Sequence, residues 1–199
     1  QDYLKRVTDL ARARLAAQQN VAATEKRKLM ELNRQMYENT VHFSHDFDKL
    51  TEANQELGDI QTRTIHYQMM MKKLALYERM IQAPYFARID FTEDGFEREP
   101  IYIGTGNLTD EDGLDAYVYD WRAPVASLFY RCEPGRVSYI SPSGEISGEM
   151  ELKRQYEIKS GRLEYFFDSS VNIMDDVLRS VLSKNASPKM KSIVETIQR

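Results

Sequence analysis

Cysteine is almost absent from this chain: Cys132 is the only one among 199 residues. A single cysteine excludes a disulfide framework and a cysteine-ligated zinc site, and it fits a reducing cytoplasm. No run of about 18 apolar residues occurs, so no segment reads as a membrane-spanning helix. The opening QDYLKRVTDL has no apolar stretch of the kind a signal peptide needs. It also has no starting Met and begins inside a helical pattern, so the chain reads as a piece of a longer protein. Glycine and proline are missing before Gly58, and nothing earlier breaks a helix by propensity. A strong charge of one sign is missing too. The net charge is −4, made of 13 basic and 11 acidic residues over 1–82 and 14 basic and 20 acidic over 83–199. That balance gives no support to strong non-specific DNA binding.

Catalytic signatures are missing as well. The chain has no G-x-x-x-x-G-K-[ST] phosphate loop and no G-x-S-x-G elbow. His42, His45 and His66 all lie before residue 83, far in sequence from Cys132. Gly104-Thr105-Gly106 is not followed directly by a helical pattern and reads as a loop, not a nucleotide cradle. No catalytic, cofactor-binding or metal-binding set is therefore assigned.

What is present begins with charge sorted by position. Residues 1–37 carry 8 basic and 4 acidic side chains, and 60–82 carry 4 and 1. Between them Glu38, Asp46, Asp48, Glu52, Glu56 and Asp59 face Lys49 alone. Leu50, Ala53, Leu57, Ile60, Thr64, Tyr67, Met71 and Leu74 alternate at steps of three and four, the pattern of a coiled-coil seam, before Tyr77 and Ile81 take over. In the preceding helix Leu15, Ala22, Leu29 and Met36 recur every seven residues, with Ala11 and Leu32 as companions and Gln18 and Glu25 as polar interruptions. Two antiparallel helices of about 36 residues, roughly 55 Å long, are expected over 1–83. The turn is placed within Asn39–His45, with Asn39 closing the first helix and Ser44 capping the second. The result is a basic stem with an acidic tip, and Glu38, His42, His45, Asp46 and Asp48 are its candidate partner-binding residues. A solvated face is the plainer reading of such charges, but solvation needs no segregation. The tip spacing matches no two-histidine helix-face metal pair, so no metal role is given to it. Met69, Met70 and Met71 read as packing residues.

Ala83-Pro84 ends the second helix. Residues 84–199 form the second expected domain. YFARIDF, PIYIGTGNL, AYVYDWRAPVASLFYR, RVSYIS, MELKRQYEIKSG and RLEYFFDS are rich in β-branched and aromatic residues. Asp94-Gly95, Asp112-Gly113, Pro134-Gly135, Ser143-Gly144 and Ser160-Gly161 separate them as turn signals. The expectation is a twisted antiparallel sheet or small barrel, followed by two helices over MDDVLRSVL and MKSIVETIQ. The fold class is thus α+β. Tyr119, Asp120, Trp121, Arg122 and Pro124 form a dense aromatic and charged motif. It reads either as a strand end ordered by Asp120 and Arg122 or as a docking surface for a neighbouring domain.

YFARIDF, IYIGTGNL, VYDWRAPVASLFY, GEISGEMELKRQYEIKSGRL and SPKMKSIVETIQ, in that order, resemble the N-terminal portion of HelD proteins. These are UvrD/Rep-like, superfamily 1 helicase-related factors of Gram-positive bacteria that bind RNA polymerase. The resemblance runs from Pro84 to Arg199, and the 1–83 arm matches in position, length and helical character more than in residues. It implies an ATPase parent using ATP and Mg²⁺, whose nucleotide motifs lie beyond KSIVETIQ in the family and are not in this chain. Whether this chain is itself part of an enzyme is left open by its residues. The resemblance also implies RNA polymerase core as partner, an arm entering the polymerase secondary channel to release stalled enzyme, contact with the remaining helicase domains, and DNA reached only through the parent. Two rival readings stand beside it: a DNA helicase piece guiding single-stranded DNA, which needs a basic stacking groove on the body, and a coiled-coil oligomerisation module.

Overall fold

The computed structural model describes residues 2–41, 47–110, 112–113 and 115–168. The chain divides into two compact units, Gln1–Pro84 and Tyr85–Arg199. The first unit holds two long helices, α1 (Asp2–Val41, 40 residues) and α2 (Phe47–Gln82, 36 residues). Helix α1 runs past Asn39, which therefore does not close it; the run of glycine-free, proline-free sequence carries the helix two residues further. The expected cap at Ser44 and the tip residues His42, His45 and Asp46 lie outside the described residues. Asp48 falls in α2, with its side chain outside the description.

The α1 stripe follows its sequence pattern. Leu4, Val7, Ala11 and Ala22 are buried, and Leu15, Gln18, Glu25, Leu29, Leu32 and Met36 are half-buried on the same 3–4 spacing. Ala22 packs with Met70 and Leu74, flanked by Leu15 and Tyr67, while Glu25 reaches Arg63 at 3.4 Å. Later α1 residues thus meet earlier α2 residues, and the helices run in opposite directions. The polar stripe position at Glu25 is matched across the interface by Arg63, and along α1 by Lys28 at 2.9 Å. One seam position differs from the pattern. Met70 is buried and Met71 is 45% exposed. Three adjacent unbranched methionines satisfy either spacing, and packing against Ala22 selects Met70. Met70→Ala is expected to cost the helical unit about 2 kcal/mol, and Met71→Ala less than about 0.5. Thermal melts followed by helical circular dichroism measure both; equal losses would place the seam elsewhere.

The second unit carries a seven-stranded sheet: β1 (Ala87–Glu93), β2 (Arg98–Gly104), β3 (Leu108–Thr109), β4 (Ala116–Asp120), β5 (Gly135–Ser141), β6 (Gly144–Lys159) and β7 (Arg162–Asp168). Its order is β3-β4-β2-β1-β6-β5, with β7 paired to β6. The expectation of a purely antiparallel body is corrected here, because β2 and β4 pair in parallel through Ile103↔Tyr119 and Gly104↔Asp120. Parallel neighbours need a connection that returns the chain to its starting edge. The segment after Gly104 provides it through β3, which pairs antiparallel with β4 from its far side. The run AYVYDWRAPVASLFYR is a strand only to Asp120. Pro124–Ala126 form a 3-10 turn, and α3 spans Ser127–Arg131. The two expected C-terminal helices fall outside the described residues.

Strand alternation divides the sheet into two faces. Ala87, Ile89 and Phe91 of β1, Ile101 and Ile103 of β2 and Met150 of β6 make the apolar face, covered by Val125, Ala126 and Leu128. The two-residue turn joining β6 to β7 has both central residues at positive φ, Ser160 at 50° and Gly161 at 71°, the primed geometry that matches strand twist.

Candidate functional site

Three places in the second unit gather charged and aromatic side chains. The first is the end of β4, which holds all five residues of the aromatic and charged motif. Asp120 is 8% exposed. Its carboxylate accepts from Arg122 Nε and Nη2, both at 2.7 Å, and from the Arg122 backbone N–H at 2.8 Å. Its own N–H donates to Asn107 Oδ1 at 2.6 Å, and Trp121 N–H donates to the Gly104 carbonyl at 2.9 Å. Hydrogen bonds from the Arg122 side chain, then from its backbone, outweigh burial and hold the Asp120 carboxyl below its ordinary pKa. This geometry is that of an aspartate-ordered turn. It ends β4 and delivers Pro124 to the first position of the 3-10 turn. The Arg122 side chain is 70% exposed and lies 6.0 Å from the Trp121 ring. Beneath the turn, the Tyr130 hydroxyl is buried without a hydrogen-bond partner among the described residues; burial, then the Asp120 charge, push its phenol pKa well up.

The second place is the sheet face opposite the apolar one. Asp90 is fully buried there. Arg88 Nε and Nη2 hold it at 2.5 and 2.8 Å, and Arg98 Nε at 3.1 Å, with Arg98 Nη2 also on Asp90 Oδ2. Arg98 continues to Glu151 at 2.7 Å. Arg154 is paired with Asp168 at 2.5 and 2.9 Å. The Arg88 guanidinium sits over Tyr102, whose ring packs against Tyr85, and Arg154 sits over Phe166. Burial raises the Asp90 pKa, but the bonds from Arg88 and Arg98 outweigh it, and the net shift is downward. Arg88, Arg98 and Arg154 are thus each paired with a carboxylate, so they do not make a free basic groove.

The third place was missed by the sequence reading. A cleft of about 160 Å³ opens at the far end of the apolar face, lined by Phe91, Tyr119, Tyr139, Ile101 and Val125, with Glu93, Glu97, Glu99 and Phe96 around it. Glu93 lies two residues after Phe91 in β1, and Glu99 pairs directly with Phe91. Both carboxylates therefore stand at positions of the apolar face. The signal was available: in ARIDFTE and REPIYIG the alternation that places Ile89, Phe91, Ile101 and Ile103 inward ends in a glutamate on each strand. Burial, then Glu93 with further neighbours including Glu99, raise the Tyr139 phenol pKa. Burial, then Glu99 and Asp115, raise that of Tyr119.

Glu38 is exposed near the end of α1, 3.9 Å from Arg34. Among the described residues no group of histidine, cysteine and carboxylate side chains is placed to hold a metal ion, and no helix is long and apolar enough to cross a membrane. No curated protein matches the chain. A family model described as DNA helicase IV HelD, N-terminal domain, matches residues 1–183.

Proposed function

We propose that this chain, which belongs to the family of HelD N-terminal domains, engages RNA polymerase core through its two-helix unit. It is the N-terminal region of a HelD-like helicase, and the two helices act as a coiled-coil arm that enters the polymerase secondary channel to help release stalled enzyme. The observation that carries the reading is the pair of long helices, 40 and 36 residues, which at about 1.5 Å per residue reach roughly 55–60 Å. That length is coupled to a basic stem and an acidic end. Met30, Tyr37, Ile65 and Met69 are 58–71% exposed along the helices, leaving apolar contact surface for a protein wall. ATP and Mg²⁺ would act in the helicase domains, outside this unit. Guidance of single-stranded DNA has less support, because Arg88, Arg98 and Arg154 are already held by carboxylates.

The tip carboxylates should matter more than the stem charges, since a confined channel strengthens charge interactions while stem charges in solvent are screened. Asp46→Asn with Asp48→Asn is expected to weaken binding to polymerase core about tenfold and to reduce turnover in multi-round transcription by the full-length helicase. Lys26→Gln with Arg27→Gln, both exposed, should change either by less than about threefold. Equal loss from the two pairs, or loss from the stem pair alone, would remove the acidic end as the working end.

A further inference from the structure

Several carboxylates of the sheet-bearing unit are held by arginine. Asp90, Asp94, Asp120, Glu151 and Asp168 are each held by an arginine. Glu93, Glu97 and Glu99 form no ion pair with a described residue, and what sets them apart is that all three stand around one aromatic-lined cleft. The nearby cations are committed elsewhere. Arg136 is bidentate to Asp94 at 2.6 and 2.5 Å, and Arg98 is held by Asp90 and Glu151.

We propose that this cleft is a docking site for one cationic side chain, arginine or lysine, presented by a basic segment of a protein partner. The walls supply what such a side chain needs. Half-buried Tyr119 and Tyr139 line the cleft with the core residue Phe91, and aromatic rings attract a cation; Phe91 and Tyr139 are set edge to face at 6.1 Å. The carboxylates at the mouth supply opposite charge, and the largely exposed Phe96 offers apolar cover to the methylene stem. About 160 Å³ is below the roughly 300–1,000 Å³ of a drug-sized ligand site and suits a single side chain. A nucleic-acid strand is disfavoured because its phosphates would meet three unpaired carboxylates. A metal ion is disfavoured because no described carboxylate group has ligating geometry. The proposal is independent of polymerase engagement by the helical arm.

Isothermal titration of the full chain with acetylated tetra-arginine amide tests it, with tetra-glutamate and a short oligothymidine as counter-probes. Binding of tetra-arginine alone is expected. Glu93→Gln with Glu99→Gln should weaken it at least about tenfold, and Tyr139→Leu, which keeps charge and apolar bulk, about three- to fivefold. Glu164→Gln with Asp112→Asn makes the same charge change at exposed positions away from the cleft and should alter binding less than about twofold. Absence of tetra-arginine binding at millimolar concentration would overturn the proposal. So would equal loss from the two double variants, which marks non-specific attraction, or preference for the oligothymidine. Melting curves of each variant confirm that the sheet is intact, and the Tyr139→Leu arm tests the π contribution where charge variants shift stability.

Discussion

Replacing Asp90 with alanine is expected to destabilise the sheet-bearing unit by on the order of 3 kcal/mol, near the lower end of the range for breaking a buried ion pair. The carboxylate is inaccessible, whereas its partners Arg88 and Arg98 are 25% and 50% exposed. Water can therefore recover part of what the guanidiniums lose, and that places the effect at the lower end. For a domain of about 100 residues the loss corresponds to a melting temperature lower by roughly 10–20 °C. The same site sets an acid limit. The folded Asp90 carboxyl titrates below its unfolded value of about 3.9, so the native state binds fewer protons than the unfolded state. Its contribution is complete above about pH 5 and is lost as pH falls below 4 toward the folded pKa. Denaturant midpoints measured between pH 3 and pH 7 should fall with acid in the native chain and fall less in Asp90→Asn. Identical pH slopes, or a loss under 1 kcal/mol in Asp90→Ala, would show that the sheet does not depend on this carboxylate.

Gly148→Ala is expected to cost about 3 kcal/mol, the upper part of the range for overpacking a filled core. A methyl at Gly148 would stand 2.6 Å from Phe91 Cζ and 2.8 Å from Phe91 Cε2, and closer still to the Thr92 carbonyl oxygen. The ring of Phe91 lies in the space that a side chain would take, and the Thr92 backbone in the neighbouring strand cannot withdraw without opening the β1–β6 ladder. Combining Gly148→Ala with Phe91→Leu removes the distal ring atoms but leaves the carbonyl. The double variant should recover part of the sum of the two single losses, a coupling of about 1 kcal/mol, read from urea unfolding. Strict additivity would mean that the ring does not occupy this space.

How far these features could be read in advance depends on the distance over which their causes act. The α1 stripe from Ala11 to Met36 is a property of one helix and was legible in its spacing. Each glycine-containing turn signal from Asp94-Gly95 to Ser160-Gly161 was legible for the same local reason, and β1, β5 and β7 lie close to the runs they separate. The parallel partner of β2 was not legible, because Gly104 and Asp120 are brought together by a connection whose path depends on β3. Helix α3 was hidden because five residues, SLFYR, are too few to show a helical period and are as apolar as a strand. The YDWRAP motif allowed two readings; Asp120 and Arg122 now form an ordered turn, which does not bear on whether Trp121 and Arg122 also meet a neighbouring domain. The Asp90 ion pairs needed the register that sets Arg98 diagonally across from Asp90. The acidic cleft needed no such information beyond strand alternation, and went unread because glutamates near a hairpin pass for ordinary solvated residues.

Strand β6, 16 residues long, pairs with β5 through its first half, with β7 through its last, and with β1 along its middle. The first two ladders close over two-residue loops, Pro142-Ser143 and Ser160-Gly161, and hairpins of this kind form in about 1–10 μs. The third joins residues on the order of 60 positions apart and carries a far larger loop-closure entropy. On these grounds the joining of the three-strand ribbon built on β6 to the β1–β2 hairpin is expected to be the slowest step of sheet assembly, and it is the step that brings the Phe91 ring against Gly148.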